Sequence, residues 1–149
     1  MKNYKIGVIG HGYVGESQSF AFSPSFDVRV YDKDSLKSTH SLNEVLDSDF
    51  IFVCVPTPMK KDGSQDLSFV ESFFKTAKVG PIYIIKSTII PGTTNLLNEK
   101  FKKLKIIFSP EFLTERTAKL DILTQTRIIL GGDKNFTSKV RNIYDIRFK

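Results

Sequence analysis

Short apolar runs rich in β-branched residues alternate along this chain with segments of helical periodicity. The runs are continuously hydrophobic, as parallel strands are when both faces of their sheet are buried. They predict six strands, at residues 5–9, 28–31, 50–55, 82–86, 105–108 and 127–130. The periodic segments predict helices at residues 13–22, 67–78, 93–103 and 135–148, and a short helix at 41–46 capped by Ser41 with Glu44 three residues on. Such alternation is typical of an α/β fold, and residues 1–149 are expected to form a single domain around a doubly wound parallel sheet.

The composition of the 149-residue chain excludes several kinds of site. Its single cysteine, Cys54, cannot form an internal disulfide, and with only two histidines no metal site is expected. The net charge of +6 comes from scattered basic residues, so we expect a solvated surface and no nucleic-acid site, a point that DNA binding would test. Met1, Lys2 and Asn3 lead directly into a strand-like run, and no apolar stretch approaches about 20 residues. These features predict no signal peptide, no membrane span and a cytoplasmic protein.

A glycine-rich turn, Gly10-His11-Gly12-Tyr13-Val14-Gly15, follows the first predicted strand and opens the first helix. Glycines in this pattern allow a tight turn, close approach of a pyrophosphate and close packing of helix on strand. The pyrophosphate would lie at the helix N-terminus, where free N–H groups favour an anion. Asp32, at the end of the second strand, is placed to bind the adenosine ribose hydroxyls of NAD and to disfavour NADP. Lys33 and Lys37 are close enough to weaken that preference.

Four further motifs lie where predicted strands end, and ligands of doubly wound sheets bind at that edge. They are Cys54-Val55-Pro56-Thr57-Pro58, Lys86 to Thr94, Ser109-Pro110-Glu111-Phe112-Leu113-Thr114-Glu115, and Arg127 to Gly132. Together with the glycine-rich turn and residues 62–68, they closely resemble the UDP-glucose/GDP-mannose 6-dehydrogenase family. The resemblance extends from about Lys5 to Tyr144. It implies a Rossmann-like NAD-binding domain of an oxidoreductase that oxidises the C6 hydroxymethyl of a nucleotide sugar.

The resemblance also implies roles for single residues. Those implied to bind the cofactor outside the glycine-rich turn and Asp32 are Lys37, Val55, Thr57, Pro58, Ser87, Thr88 and Glu115. Thr88 and Glu111 would act at the reacting centre, Thr88 by holding the catalytic water and Glu111 by positioning water or managing protons. The substrate-binding residues would be Glu111, Phe112, Leu113 and Glu115. Purely structural roles stay open for the same residues. Residues 55–58 also suit a rigid turn, Thr88 suits a helix cap, and the two glutamates suit a solvated loop.

The chain departs from the family in three respects. The segment between Asp32 and the third strand is shorter than in the family, and Arg116 replaces a small residue after the second glutamate. The lysine, asparagine and nucleophilic cysteine of the family belong to central and C-terminal domains that residues 1–149 do not contain. Cys54 cannot replace that cysteine, because its position within a strand run indicates a core thiol.

These departures leave several functions open. Oxidation of a UDP-sugar would require catalytic groups from other domains or a partner chain. The alternative is a truncated, non-catalytic NAD(H)-binding sensor or interaction module. A third reading is a minimal dehydrogenase for a different alcohol, with Glu111 as the base.

Overall fold

The computed structural model describes residues 3–149, so Met1 and Lys2, on which part of the signal-peptide expectation rests, lie outside the described residues. Five parallel strands form one sheet in the order β2-β1-β3-β4-β5. The strands are β1 (Lys5–Ile9), β2 (Asp27–Tyr31), β3 (Phe50–Val53), β4 (Ile82–Ile85) and β5 (Lys105–Phe108). The strands are short, and all except the edge strand β2, which contains Asp27 and Arg29, are nearly continuously apolar. The parallel sheet flanked by helices confirms the prediction of a single doubly wound α/β domain.

Six α-helices flank the sheet within residues 3–149; α1 to α4 lie between strands, and α5 and α6 follow β5. They are α1 (Tyr13–Phe22), α2 (Leu42–Leu46), α3 (Ser68–Thr76), α4 (Thr93–Lys100), α5 (Ala118–Thr124) and α6 (Lys134–Phe148). The predicted capping box of α2 is present: Ser41 Oγ accepts from Glu44 N at 3.4 Å, and Glu44 Oε2 accepts from Ser41 N at 2.8 Å. Sequence reasoning missed α5, although Ala118 and Ile122 are buried four residues apart on one helical face. Within residues 3–149, none of these helices has the length and apolar character needed to cross a membrane.

The helices cover the two faces of the sheet and enclose two apolar cores. Helices α1, α5 and α6 bury one face, where Phe22, Phe52 and Tyr144 form a cluster of ring contacts. Helices α2, α3 and α4 bury the other face around Phe74 and Tyr83. Residues of one strand alternate between the two cores, and both faces exclude water. This arrangement leaves the carboxyl ends of the strands as the surface on which a site can form.

The predicted sixth strand at residues 127–130 is wrong. This segment has no regular structure, and its backbone meets the sheet only at the following residue, Gly131, through two antiparallel hydrogen bonds of 2.8 and 2.9 Å with Phe108. Ile128 and Ile129 remain 37% and 46% exposed, so the apolar run crosses the edge of β5 without pairing along it. A short apolar run alone does not distinguish a strand from an extended loop.

The shortened connection after β2 closes the free edge of the sheet. The backbone N–H groups of Thr39 and His40 donate to Val30 O at 3.0 and 3.1 Å, and Thr39 Oγ1 accepts from Val30 N at 3.0 Å. Two residues after Val30, the backbone of Asp32 is bound in the same way: Ser38 Oγ accepts from Asp32 N at 2.9 Å and donates to Asp32 O at 3.0 Å. Residues 38–40 thus occupy the hydrogen-bonding groups that a further strand would use, and they fix the backbone of Asp32.

Candidate functional site

Two clefts open at the carboxyl ends of the strands and share Val55 and Pro56 as a common wall. The β2-side cleft, of about 310 Å³, lies beside β1 and β2 and reaches Asp32. The β4-side cleft, of about 220 Å³, lies over the ends of β3 and β4 and reaches Thr88 and Glu111. Both flank the point where β1 and β3 are neighbours while the chain leaves them in opposite directions along the sheet. Doubly wound folds bind their ligands at this switch point.

The three glycines of the turn have different structural explanations. Gly10 has a φ of 86°, and a Cβ there would lie 2.5 Å from Cys54 O. A Cβ on Gly15 would lie 1.9 Å from Gly10 O, so helix α1 can approach β1 only without a side chain at this position. Gly12 has an ordinary φ of −77°, and no atom of the described chain lies within 4 Å of a Cβ there. The fold itself therefore does not require a glycine at Gly12, whereas close approach of a ligand would.

Gly12 is also the N-terminal cap residue of α1, and no side chain caps this helix. Its carbonyl accepts from Glu16 N at 2.8 Å, which begins the helix. The N–H groups of the first turn, at Tyr13, Val14 and Gly15, have no intrahelical partner by the geometry of any helix N-terminus. These three residues line the β4-side cleft together with Gly12. The cleft therefore presents uncapped N–H donors of the kind that bind a pyrophosphate.

The carboxylate of Asp32 lies beside this turn, as the spacing predicts. Its Oδ2 accepts from His11 N at 2.6 Å and its Oδ1 accepts from Asp34 N at 2.8 Å. Partial burial alone would raise the pKa of Asp32, but these two backbone donors, with the nearby Lys37 charge, lower it overall. The ionised carboxylate therefore holds the turn in place, and each oxygen retains lone pairs for ribose hydroxyls.

The remaining residues predicted at this end differ in position. Lys37 ends a short 3₁₀ turn, Ser35–Lys37, and is exposed outside the residues lining the clefts. The ring of His11 lies against α1, with its Nε2 3.1 Å from Ser19 Oγ. Lys33 lines the β2-side cleft, and its ammonium lies 5.2 Å from the centre of the Phe69 ring. Phe69 is 38% exposed, and sequence reasoning did not single it out.

Hydrogen bonds across the β4-side cleft fix the backbone on which Thr88 lies. Ser87 Oγ donates to Val55 O at 2.6 Å, and Thr57 Oγ1 donates to Thr88 O at 2.6 Å. The structure therefore brings together Val55, Thr57, Ser87 and Thr88, as the motifs predict. Thr88 is exposed within the cleft and does not cap α4, because the N-cap of that helix is Gly92.

Gln65 is a further contributor that sequence reasoning did not single out. Its Nε2 donates to Thr88 O at 2.7 Å, and its Oε1 accepts from Ile90 N at 3.2 Å. One amide side chain thus bridges two backbone groups on either side of Ile89. A polar residue in the segment 62–68, which belongs to the motif set, was the available indication. Pro58 stands outside both clefts, and its carbonyl accepts from Asp66 N at 2.8 Å to support this segment.

Glu111 lies on the far wall of the β4-side cleft. Its Oε2 accepts from Leu113 N at 2.5 Å, which closes a tight turn after β5. Lys86, directly after β4, is only 6% exposed and also lines the cleft. Lys86 Nζ donates to Pro110 O at 3.2 Å and to Ser109 Oγ at 3.4 Å. Burial lowers the pKa of Lys86 from 10.5 to about 8, against the opposing influence of Cys54 and Glu111.

The other residues predicted to bind substrate do not line the β4-side cleft. Phe112 is exposed beneath the guanidinium of Arg127, which lies 4.9 Å from its ring centre, and Leu113 packs on the core. Glu115 begins a 3₁₀ turn, Glu115–Thr117, beside a shallow depression. That depression shares Tyr13 with the β4-side cleft, so the two surfaces adjoin. The roles of these three residues remain predictions.

Cys54 follows β3, and its N–H donates to Ile9 O at 2.8 Å. It packs against the core that contains Phe52. Burial raises the pKa of the Cys54 thiol to about 12, so at neutral pH it is not a thiolate nucleophile. Among residues 3–149, no group of three or more His, Cys, Asp or Glu side chains is arranged to hold a metal ion.

Comparison with known proteins matches this geometry to one family. The model of the NAD-binding domain of the UDP-glucose/GDP-mannose dehydrogenase family matches residues 28–147. The chain belongs to this family. Its cofactor, predicted from the glycine-rich turn and Asp32, is NAD, and the predicted family and Rossmann-like fold are confirmed.

Relatives and solved structures match most of the chain. The UDP-glucose 6-dehydrogenase of Streptococcus pneumoniae is 32% identical in an alignment covering 87% of this chain and 41% of the relative. The solved UDP-glucose dehydrogenase of Pyrobaculum islandicum superposes with a TM-score of 0.83 at 26% identity, covering 97% of this chain and 44% of the relative. The GDP-mannose dehydrogenase of Pseudomonas aeruginosa, solved as a ternary complex, gives a TM-score of 0.79 at 25% identity, covering 94% and 44%. The chain thus spans less than half the length of these relatives.

Proposed function

We propose that this chain is the dinucleotide-binding part of a nucleotide-sugar 6-dehydrogenase and that oxidation requires catalytic groups outside residues 1–149. The observation that carries the proposal is the pair of adjoining clefts at the switch point, with Asp32 at one end and Thr88 and Glu111 at the other. In a doubly wound fold, one half binds the adenosine and the other half binds the nicotinamide. The β2-side cleft is accordingly the adenosine end, and the β4-side cleft is the nicotinamide end.

The adenosine end offers both apolar contact and ribose recognition. Phe69, Phe73 and Leu42 line the β2-side cleft and suit an adenine ring. Asp32 supplies an ionised acceptor for the ribose hydroxyls and repels a 2′-phosphate. The turn between the clefts supplies the uncapped N–H groups of α1 for the pyrophosphate, and the lack of contacts at Gly12 leaves room for it.

At the other end, the dinucleotide supplies a hydride acceptor, and the chain holds its surroundings rigid. The hydroxyls of Ser87 and Thr57 and the amide of Gln65 bind backbone carbonyls around the cleft, so its wall is ordered before a ligand arrives. Thr88 would hold a water molecule at the reacting carbon, and Glu111 would position that water or accept its proton. Glu115, Phe112 and Leu113 would approach the sugar from the adjoining surface.

The missing nucleophile separates this proposal from its alternative. Cys54 is the single cysteine of the chain, and its buried thiol cannot act as the thiolate that covalent catalysis requires. We therefore infer that a further domain or a partner chain supplies the thiolate and that the substrate is a nucleotide sugar, with UDP-glucose as the first candidate. The same observation favours a second function, a non-catalytic NAD(H)-binding sensor or interaction module. A single reduced cysteine and the dependence on NAD suit the cytoplasm as the site of either function.

Calorimetric titration of the chain with NAD and NADH tests the cofactor site. We expect saturable binding by the wild type and a loss of roughly tenfold or more in affinity in Asp32→Ala, because ribose hydroxyls lose a charged acceptor. Asp27→Ala is the matched control, since Asp27 lies at the opposite end of the same strand in an exposed ion pair with Arg29. Absence of binding by the folded wild type would contradict the proposal.

Turnover assays distinguish the two functions. We expect no steady NADH production from UDP-glucose by the chain alone, because a thiolate is missing. If a polypeptide encoded by a neighbouring gene and carrying a cysteine restores NADH production, the dehydrogenase is supported. Steady NADH production by the chain alone would contradict the need for other catalytic groups. Binding without turnover in every combination would favour the sensor.

A further inference from the structure

Lys86 is a buried charged side chain that the proposed reaction does not use. It follows β4, is only 6% exposed and borders the β4-side cleft. Two of its three N–H donors have partners, Pro110 O and Ser109 Oγ, both on the loop after β5. A lysine buried to this degree is unfavourable unless its charge or its hydrogen bonds have a use. Anchoring one loop could be achieved by a neutral donor, so the charge itself requires an explanation.

Glu111 places the opposite charge on the same cleft. It follows Pro110 directly and lines the cleft with Lys86 and Thr88. Among the ion pairs formed within residues 3–149, none joins Glu111 to Lys86, and Glu111 Oε2 instead accepts from Leu113 N. Because the two groups do not neutralise each other in direct contact, each acts on whatever occupies the cleft.

The occupant expected there changes its charge during hydride transfer. The nicotinamide ring carries a positive charge in NAD⁺ and none in NADH, whereas the rest of the dinucleotide is unchanged. We propose that Lys86 and Glu111 set the relative affinity of this domain for oxidised and reduced cofactor, with the ammonium favouring NADH and the carboxylate favouring NAD⁺. The inference rests on the proposed placement of nicotinamide in the β4-side cleft. It identifies Lys86 as a specificity-determining residue.

The test is the ratio of dissociation constants for NAD⁺ and NADH in two variants of opposite sign. Lys86→Met removes the positive charge, and we expect the ratio Kd(NAD⁺)/Kd(NADH) to fall roughly threefold to tenfold. Glu111→Gln removes the negative charge at nearly constant shape, and we expect the ratio to rise by a similar factor. A purely structural role for either residue would weaken both ligands together and leave the ratio unchanged.

Lys33→Met is the matched control. Lys33 lines the β2-side cleft, where its ammonium lies over the Phe69 ring. This is the proposed adenosine end, at which NAD⁺ and NADH are identical. Its loss should change both dissociation constants by the same factor. A ratio that moves in this control as much as in Lys86→Met would overturn the proposal, as would equal ratios in all four proteins.

The wild type provides a second measurement that does not depend on the folding of a variant. Because burial lowers the pKa of Lys86 to about 8, its ammonium is lost as the pH rises from about 7 to about 9. The other titratable groups around it are Glu111, Tyr13 of α1, Cys54 after β3 and Tyr144 of α6. Burial raises the pKa of Cys54 to about 12 and also raises that of Tyr144, so both stay neutral in this range.

We expect Kd(NAD⁺)/Kd(NADH) to fall across this pH range in the wild type and to change less in Lys86→Met. A ratio that is constant with pH in the wild type would contradict the inference while leaving the proposed function intact. Failure of the folded wild type to bind either form would instead contradict the proposed function.

Discussion

At the scale of single residues, the glycine-rich turn separates what the fold requires from what a ligand requires. Gly10 and Gly15 are explained by backbone contacts of 2.5 and 1.9 Å that a Cβ would make. Gly12 has no such contact, yet it stands where uncapped N–H groups of α1 meet the β4-side cleft. The motif assigns these three roles by position, and the contacts at Gly10 and Gly15 agree with the two roles that concern the fold.

Two alanine substitutions test the distinction. In Gly12→Ala the backbone needs no change, so we expect the free energy of unfolding to fall by no more than about 1 kcal/mol, the usual cost of alanine at an N-cap, while the affinity for NADH falls roughly tenfold or more. In Gly15→Ala the Cβ collides with Gly10 O, and we expect destabilisation of about 2 kcal/mol or more. Urea unfolding and calorimetry provide both measurements. If Gly12→Ala binds NADH as the wild type does, the pyrophosphate does not lie at this turn.

The residues of the candidate site were only partly predictable from sequence. Asp32, Thr57, Ser87, Thr88 and Glu111 lie where strands end, and that edge can be located from the apolar runs alone. Neither Lys86, at the end of such a run, nor Gln65, in a loop, was predicted to belong to the site. Both act through hydrogen bonds to carbonyls of other segments, at Pro110 and Thr88, and such partners have no regular spacing in sequence.

At the scale of elements, apolar runs predicted the five strands, because β1, β3 and β4 are buried on both faces and the edge strands β2 and β5 still bury part of their length. The same criterion failed at residues 127–130, whose apolar side chains cross the edge of β5 and stay partly exposed. Helix α5 was missed because it has only seven residues and follows a loop without a capping side chain. The short α2 was found because Ser41 and Glu44 form a reciprocal cap that is recognisable from their spacing.

The edge of β2 offers a test at this scale. Thr39→Val keeps the shape of the side chain but removes the acceptor for Val30 N, a group that then has no bond along the edge. We expect a loss of about 1–2 kcal/mol in the free energy of unfolding, measured by urea denaturation. Thr126→Val, on the exposed loop after α5, is the control and should stay within about 0.5 kcal/mol. Equal effects of the two substitutions would contradict the role assigned to residues 38–40.

At the scale of the whole molecule, two cores cover the opposite faces of one sheet, so the two clefts lie at the edge formed by the carboxyl ends of the strands. The layered architecture follows from the sequence pattern, because strand-helix alternation allows few other arrangements. What cannot be derived in this way is the set of ionisable groups that the cores enclose. Cys54 packs against one core and Tyr83 lies within the other, and desolvation raises the pKa of each to about 12.

This enclosure predicts the stability of the domain in alkali. The unfolded chain releases the protons of Cys54 and Tyr83 near their ordinary pKa values of 9.0 and 10.0, whereas the folded chain retains them to about 12. Their contribution is therefore complete below about pH 9 and is lost as the pH rises towards 12. Lys86 acts in the opposite direction between about pH 8 and its ordinary 10.5, because the folded chain releases that proton first.

Tyr83→Phe isolates one of these contributions. Its hydroxyl donates to Lys78 O at 2.7 Å, so the variant should lose about 1 kcal/mol near pH 8. Above about pH 10, its free energy of unfolding should decline less steeply than that of the wild type. Urea unfolding at a series of pH values from about 8 to 11 measures both slopes. Parallel slopes would mean that the Tyr83 phenol titrates alike in the folded and unfolded chains.

The hydrogen bonds that residues 38–40 make to the edge of β2 have a consequence for how such domains can diverge. An edge strand has a single neighbouring strand. A deletion in the connection after it therefore leaves one row of backbone amides and carbonyls without hydrogen-bond partners. Three consecutive polar residues satisfy the groups of Val30 and Asp32 in that row, and Ser38 thereby fixes the backbone of Asp32. The length of this connection can therefore change without displacing the Asp32 carboxylate, which we propose faces the adenosine ribose.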